Sequence, residues 1–181
     1  MAVWMQIIGF RKSDSIKKEK TRVFEILKEA EFEFDFVKDK FGCELKQTEW
    51  NLTQSKGIEY FELSILDQSL KVYFNNPYFI EFSGSFELFS SWHWFADERN
   101  SHLTNGIRNV FRKIAAEYGI EELFYFSEWF FSLDDIRSKE ESFEGLINRI
   151  QENPKDRKEE FYEIESNKYY IEKISPVANN V

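Results

Sequence analysis

YFIEFSGSFELFSSWHWF, residues 78–95, is the stretch on which the rest of the chain depends. Its even positions are mainly apolar, as at Ile80 and Phe82, whereas its odd positions are mainly polar, as at Glu81 and Glu87. This alternation is typical of a β-strand with one dry face and one wet face, and a helix with its 3.6-residue period could not separate the two sets. The stretch therefore predicts a half-buried antiparallel sheet.

This stretch is too long to be a single straight strand. At about 3.3 Å per residue it would extend for roughly 55 Å, which exceeds a compact domain of this size. We therefore expect it to break or bend at Gly84 and near residues 90–91.

Regular patterns outside this stretch complete the predicted fold. Residues 31–41 satisfy both helical and strand spacing, and we favour helix because no turn residue divides the segment from the preceding helical pattern. Gly9 is interpreted as a bulge or a strand end. Residues 43–54 are interpreted as a connector or an irregular strand. We expect strands within 3–10, 61–65, 70–74, 78–95, 122–131 and 168–174, with the last at a sheet edge, and helices within 13–41, 100–119 and 133–152.

Together these patterns predict an α+β domain. We expect an antiparallel sheet of about five or six strands, with two or three helices packed mainly on one face. With 181 residues, the chain suits one domain at 1–175, followed by a frayed tail at 176–181.

The charge is strongly acidic and unevenly distributed. The formal net charge is −9, which disfavours nucleic acid as a partner and favours a basic protein. Residues 11–28 are the exception, with seven Lys or Arg against three acids. Two interpretations of this basic helix stay open: a surface that docks an acidic partner, and an ordinary solvated helix face.

No targeting segment is evident in the sequence. The N-terminal residues lack a basic region and a cleavage site, and no apolar run approaches the roughly 20 residues of a membrane span. Cys43, the single cysteine, has no partner for an internal disulfide. We therefore expect a cytoplasmic protein without a membrane partner, and the Lys, Glu, Asn and Phe usage favours a bacterial origin.

The densest polar and aromatic cluster is SSWHWFADERNSH, residues 90–102. Imidazole and carboxylate groups there could bind a transition metal, and Glu98 and His102 share a helix face if the helix begins early enough. The alternative is a capped strand-to-helix corner with ordinary hydrogen bonds, which we favour because the spacing matches no established metal pattern. The residues predicted to bind a partner are Trp92, His93, Trp94, Asp97, Glu98, His102 and Trp129.

Other chemistries have weaker support. The stretch FSGSF around Gly84 lacks the flanking glycines of a nucleophile elbow, and Cys43 has no local feature of a nucleophile. Glu81 and Glu87 could pair as acid and base, but cross-strand lysines such as Lys71 are a simpler explanation for acids on a wet face. The chain has no glycine-rich phosphate loop, so we expect no catalytic residue and no cofactor.

The aromatic content of 18% exceeds what one sheet face can bury. The surplus either covers a second face or stays exposed, and exposed aromatics rimmed by acids are typical of a protein-binding surface. In composition the chain resembles the immunity proteins and inhibitors that bacteria and phages use against toxins or nucleases. The sequence thus predicts a non-enzymatic protein-binding module with a basic partner, and the alternative is a small metal-dependent enzyme that uses the His93–His102 region.

Overall fold

One sheet and two helices form the described part of the protein. The computed structural model describes residues 4–11, 15–29, 50–65, 68–85, 98–127, 145, 148, 152, 157–161, 164 and 168–174. The elements are β1 (Trp4–Phe10), α1 (Ile16–Glu29), β2 (Asn51–Ser55), β3 (Ile58–Ile65), β4 (Gln68–Tyr73), β5 (Phe79–Ser85), α2 (Glu98–Glu117), β6 (Glu122–Ser127), β7 (Arg157–Lys158) and β8 (Tyr169–Lys173).

The sheet has the strand order β2-β3-β4-β5-β1-β6-β8-β7. All neighbours pair antiparallel except β7 and β8, which are parallel. The predicted α+β class is therefore confirmed. The predicted count of five or six strands is wrong, since the described residues alone form eight.

Two strands account for the wrong count, and a third is misplaced. β2 has no alternating apolar pattern, and β7 is two residues long, which is too short for any periodicity. β8 was predicted as an edge strand, but it lies between β6 and β7.

β5 lies inside the sheet and pairs with β4 on one side and β1 on the other. Its apolar face is as predicted, with Ile80 and Phe82 fully buried. Its other face was predicted to be wet and is not, because Phe79 and Glu81 are also buried, with Glu81 only 1% exposed. The register sets Lys71 opposite Ser83 and Glu62, and it sets Tyr73 opposite Glu81, so Lys71 is not the direct cross-strand neighbour of Glu81.

Two apolar clusters lie on the two faces of the sheet. The larger cluster joins residues of both described helices, such as Leu27 and Phe111, to strand residues such as Phe82 and Tyr125. The smaller cluster lies on the opposite face and comprises Ile8, Phe79, Phe124, Phe126 and Tyr169, with Phe10 and Ile171 against it. The surplus aromatics therefore bury a second face, at least along β1, β5, β6 and β8.

α2 ends as the sequence predicts. Gly119 has a positive φ of 65°, and the amide of Ile120 donates to the carbonyl of Ala115 at 2.8 Å. This is the six-to-one bond of a glycine-terminated helix, and it turns the chain directly into β6. Neither described helix is long and apolar enough to cross a membrane.

Several predicted elements lie wholly or largely outside the described residues. These are the segment 31–41, the continuation of the 78–95 strand beyond Ser85, and most of the helix expected within 133–152. In that last region the amide of Glu152 donates to the carbonyl of Asn148 at 2.8 Å, which is a helical bond.

Gly9 is neither a bulge nor a strand end. It lies within β1 and pairs with Ile80 on one side and Leu123 on the other, without an extra residue in either ladder. A Cβ at this position would lie 2.8 Å from Ile120 Cδ1 and 3.0 Å from Leu123 Cδ2. Glycine is therefore required here because the buried Ile120 side chain packs directly on the strand backbone.

We expect Gly9→Ala to destabilise the protein by about 1–3 kcal/mol through overpacking. Ile120→Val removes the Cδ1 atom of closest approach, so Gly9→Ala should cost less in that background than in the wild type. Urea denaturation of the two single variants and the double variant measures this coupling. Equal costs in both backgrounds would show that the packing of Ile120 does not require this glycine.

Candidate functional site

The ends of β5 and β6 define the region where the sequence places its functional candidates. Both strands pair antiparallel with β1, so they run in the same direction. Ser85 pairs with Trp4 and Ser127 pairs with Met5, so both strands end at the level where β1 begins. With neighbouring strands about 4.8 Å apart, the two chain exits lie about 10 Å from each other.

α2 begins near the same end of the sheet. The tight turn at Gly119 joins α2 to β6, so the helix runs back against the direction of that strand. Because α2 has 20 residues and rises about 1.5 Å per residue, it spans about 30 Å, which is longer than β6. Its first turns therefore reach the end of the sheet where β5 and β6 finish, and we call this region the exit end.

The structure places two of the predicted site residues. Glu98 is the first residue of α2 and His102 lies four residues later, so their backbone positions fall on one helix face. Trp92, His93, Trp94, Asp97 and Trp129 lie outside the described residues. They belong to the segments that follow Ser85 and Ser127 in the chain, and the fold sets these two residues at the same end of the sheet.

The metal site, which is the less favoured of the two interpretations of residues 90–102, is not tested by the described residues. Among the described residues, no group of three or more His, Cys, Asp or Glu side chains is arranged to hold a metal ion. The side chains of all four candidate ligands, His93, Asp97, Glu98 and His102, lie outside the part of the protein that the structure describes.

The acidic excess of the chain resides outside the described residues. The described positions contain 16 Lys or Arg and 14 Asp or Glu, which is a net charge of +2. Since the whole chain has a net charge of −9, the remaining positions have a net charge of −11. Residues 86–97 contain two acids and no Lys or Arg, and residues 128–144 contain six acids and two bases. Both segments begin at the exit end.

A buried polar network lies elsewhere, between α2, β6 and β8. The Oε1 atom of Glu172 accepts hydrogen bonds from Arg108 Nη2 at 2.9 Å and from Arg112 Nε at 2.8 Å and Nη2 at 2.5 Å. Its Oε2 atom accepts one from the Tyr125 hydroxyl at 2.6 Å. The guanidinium of Arg108 also stacks over the Phe161 ring at 4.2 Å.

Sequence reasoning missed this network. The helical pattern of residues 100–119 groups Arg108 with Arg112 and Lys113 opposite the apolar stripe, but Arg108 is buried and faces the sheet. The available signal was spacing: Arg108 precedes Phe111 by three residues and Ala115 by seven, which sets it at the edge of the apolar stripe. Since both oxygens of Glu172 accept donors, we interpret the network as a fastening of α2 to the sheet rather than a reactive site.

A second buried network joins β1, α1 and the β4–β5 connection. Arg11 forms an ion pair with Glu19, and its Nη2 atom donates to the carbonyl of Phe74 at 2.8 Å and to that of Asn76 at 3.3 Å. Its guanidinium lies 4.9 Å from the Tyr118 ring centre. Burial lowers the pKa of Arg11, and the neighbouring Glu19 opposes that shift. The network therefore fixes the start of α1 to the sheet.

We expect stability to fall at alkaline pH because one buried tyrosine, Tyr125, and one half-buried tyrosine, Tyr118, resist ionisation. Burial, followed by Glu172, raises the pKa of Tyr125, and burial, followed by Glu19, raises that of Tyr118. In the unfolded chain these hydroxyls ionise near pH 10, so their stabilisation is complete below that pH and is lost as the pH rises toward the raised folded values.

Each such tyrosine contributes up to about 1.4 kcal/mol per pH unit to this fall. Urea denaturation at a series of pH values between about 9 and about 11.5 measures it. Tyr118→Phe should make the decline shallower than in the wild type. A variant with an unchanged slope would show that Tyr118 does not hold its proton in the folded protein.

Comparisons with known proteins add no family to this description. No protein-family model matches the chain, and no curated protein or solved structure matches it.

Proposed function

We propose that this protein is a non-enzymatic protein-binding module of the immunity or inhibitor type. Its binding surface lies at the exit end, is acidic and rich in aromatic residues, and engages a basic partner. The residues assigned to this surface are Trp92, His93, Trp94, Asp97, Glu98, His102 and Trp129.

The observation that carries the proposal is the common exit of two chain segments of the same composition. Residues 86–97 and 128–144 combine an acidic balance with three of the five tryptophans of the chain. In the sequence they are 30 residues apart, but the pairing of β5 and β6 with β1 starts both at one end of the sheet. α2 starts near the same end with Glu98 and His102.

The physical chemistry of such a surface suits protein recognition. Tryptophan provides a large contact area at a low cost in conformational entropy, and it is enriched among the residues that dominate binding energy. Clustered carboxylates attract a basic partner and accelerate encounter, and they repel acidic proteins and nucleic acid. The buried Glu172 and Arg11 networks support this surface by fixing α2 and α1 to the sheet.

Affinity purification from the native host with three baits tests the proposal. The baits are the wild type, a Trp92→Ala/Trp94→Ala double variant, and Tyr78→Ala as a matched control. Tyr78 is an exposed aromatic residue that immediately precedes β5, so it lies at the opposite end of the sheet from Ser85.

We expect the wild type and Tyr78→Ala to retain the same protein, with an isoelectric point above about 9. The double variant should bind it at least about tenfold more weakly. Raising the salt concentration from about 0.05 M to about 0.5 M should weaken the wild-type complex, because salt screens the electrostatic attraction between the carboxylates and the basic partner. An acidic partner, equal binding by the double variant, or no partner at micromolar concentration would each refute the proposal.

A further inference from the structure

Among the described residues, the strand β2 presents an open edge, at the opposite end of the strand order from β7. It is the outermost strand of the sheet, and within the described part of the chain it pairs with β3. Four of its five residues are exposed and the fifth, Thr53, is half-buried. Its sequence, NLTQS, contains neither proline nor lysine, the residues that commonly block pairing at sheet edges.

The backbone N–H and C=O groups of β2 point alternately toward β3 and away from it. The β2–β3 hairpin has a two-residue turn at Lys56 and Gly57, with Ser55 opposite Ile58. In such a hairpin the pair that flanks the turn is hydrogen-bonded and the pairs alternate from there. The N–H and C=O groups of Leu52 and Gln54 are therefore directed away from β3, toward the open edge.

An apolar contact surface lies beside this edge. Phe61 of β3 stacks on Phe24 of α1 with ring centres 5.5 Å apart, and it lies opposite Leu52 of β2. Phe24 and Leu52 are nevertheless 41% and 45% exposed. A strand added to β2 could cover the exposed part of Leu52 and approach Phe24.

The charges next to the edge are mainly positive. Lys20 of α1 pairs with Glu59 of β3 at 2.8 Å, which places α1 over this side of the sheet. The exposed charged residues of α1 include three lysines, Lys17, Lys18 and Lys28, and one acid, Glu25. Lys56 is also exposed, at the hairpin turn. This basic region contrasts with the total charge of −9.

We propose that β2 binds an extended, acidic segment of a partner protein as an added antiparallel strand. Backbone hydrogen bonds to Leu52 and Gln54 hold the segment, Phe24 and Leu52 contact its apolar side chains, and the lysines of α1 attract its carboxylates. A second copy of this chain is disfavoured, because two-fold pairing of β2 with itself would bring two lysine-rich α1 helices together. This surface is separate from the exit end and goes beyond the function proposed above.

Peptide binding in solution tests this proposal. The probe is a fluorescent peptide of about nine residues that alternates valine and glutamate, and its control has lysine in place of every glutamate. Fluorescence anisotropy compares both peptides on the wild type, Gln54→Pro and Gln54→Ala. Proline removes an outward N–H group without removing a bond to β3, and alanine retains that group.

We expect the acidic peptide to bind the wild type and Gln54→Ala about equally, and both at least about tenfold more tightly than the lysine peptide. Gln54→Pro should lose this binding, and its thermal unfolding, followed by circular dichroism, establishes that it is folded. If it is not folded, Lys17→Glu/Lys28→Glu replaces it and should reverse the preference between the two peptides.

Amide hydrogen exchange should also slow at Leu52 and Gln54 in the complex. Equal binding of both peptides, or binding that neither Gln54→Pro nor the charge reversal changes, would overturn the proposal. So would a concentration-dependent dimer that Gln54→Pro abolishes, because a second copy would then occupy the edge. Trp92→Ala/Trp94→Ala should leave peptide binding unchanged, so this result is independent of the partner at the exit end.

Discussion

Glu172→Ala is expected to destabilise the protein by about 3–5 kcal/mol, which is the largest effect that we expect from a single substitution. The change removes the acceptor of four hydrogen bonds and leaves Arg108 buried without a countercharge. The Tyr125 hydroxyl also loses its acceptor in a fully buried position. Urea denaturation of the wild type and the variant measures the difference in the free energy of unfolding.

Lys173→Ala is the matched control for this prediction. Lys173 is the next residue on β8, but its side chain is exposed, so its loss should change stability by no more than about 0.5 kcal/mol. Glu172→Leu combined with Arg108→Met should recover much of the loss, because no uncompensated buried charge remains at Arg108. A Glu172→Ala variant as stable as Lys173→Ala would show that the network does not fasten α2 to the sheet.

Arg11→Met is expected to cost a similar amount, about 3–5 kcal/mol. Methionine keeps much of the apolar length of the side chain, so the decrease in the free energy of unfolding arises mainly from the missing charge and its hydrogen bonds. Glu19 would remain buried without its cationic partner, and the carbonyl of Phe74 would lose a donor. Chemical denaturation again provides the measurement.

Lys18→Met is the control for Arg11. Lys18 is an exposed residue of the first turn of α1, next to Glu19, and its substitution should be nearly neutral. A second comparison, Arg11→Met with Glu19→Leu, should be more stable than Arg11→Met alone, because the orphaned carboxylate is then absent. If the double variant is less stable than the single variant, the Arg11–Glu19 ion pair is not the source of the effect.

The alternation of residues predicted the core strands of the fold well. β3, β4 and β5 lie where apolar side chains repeat every second position, and β1 lies where this alternation is weak. β6 lies in a run that is apolar on both faces, and α2 lies where apolar side chains repeat at helical spacing. These elements are predictable because each buries a continuous face and therefore has a regular pattern. β7 was missed because a two-residue strand needs no such pattern. β2 falls mainly in residues 43–54, which stayed open between a connector and an irregular strand because an exposed edge strand has no regular pattern either.

Buried polar residues were the main source of error within elements that were otherwise correct. Glu81, Arg108 and Glu172 are all buried, although a pattern of polar and apolar residues assigns each to solvent. Burial of a charged group depends on partners from distant parts of the chain, as with Arg108 and Glu172, which are 64 residues apart. No local pattern contains that information.

The grouping of the candidate site residues was only partly accessible to sequence reasoning. The cluster at residues 90–102 is contiguous in the sequence, but the proposal that groups Trp129 with it rests on the strand order. β1, from the start of the chain, inserts between β5 and β6 and aligns their ends. Local periodicity predicts that these strands exist and does not predict which of them are neighbours.

Amide hydrogen exchange of the protein, alone and in complex with the partner retained by affinity purification, tests the central claim most directly. If the exit end binds that partner, exchange should slow in residues 86–102 and 128–131, and it should be unchanged at Tyr78, which lies at the opposite end of β5 from Ser85. Protection that is absent from 86–102 and 128–131 and confined to other parts of the chain would contradict the claim.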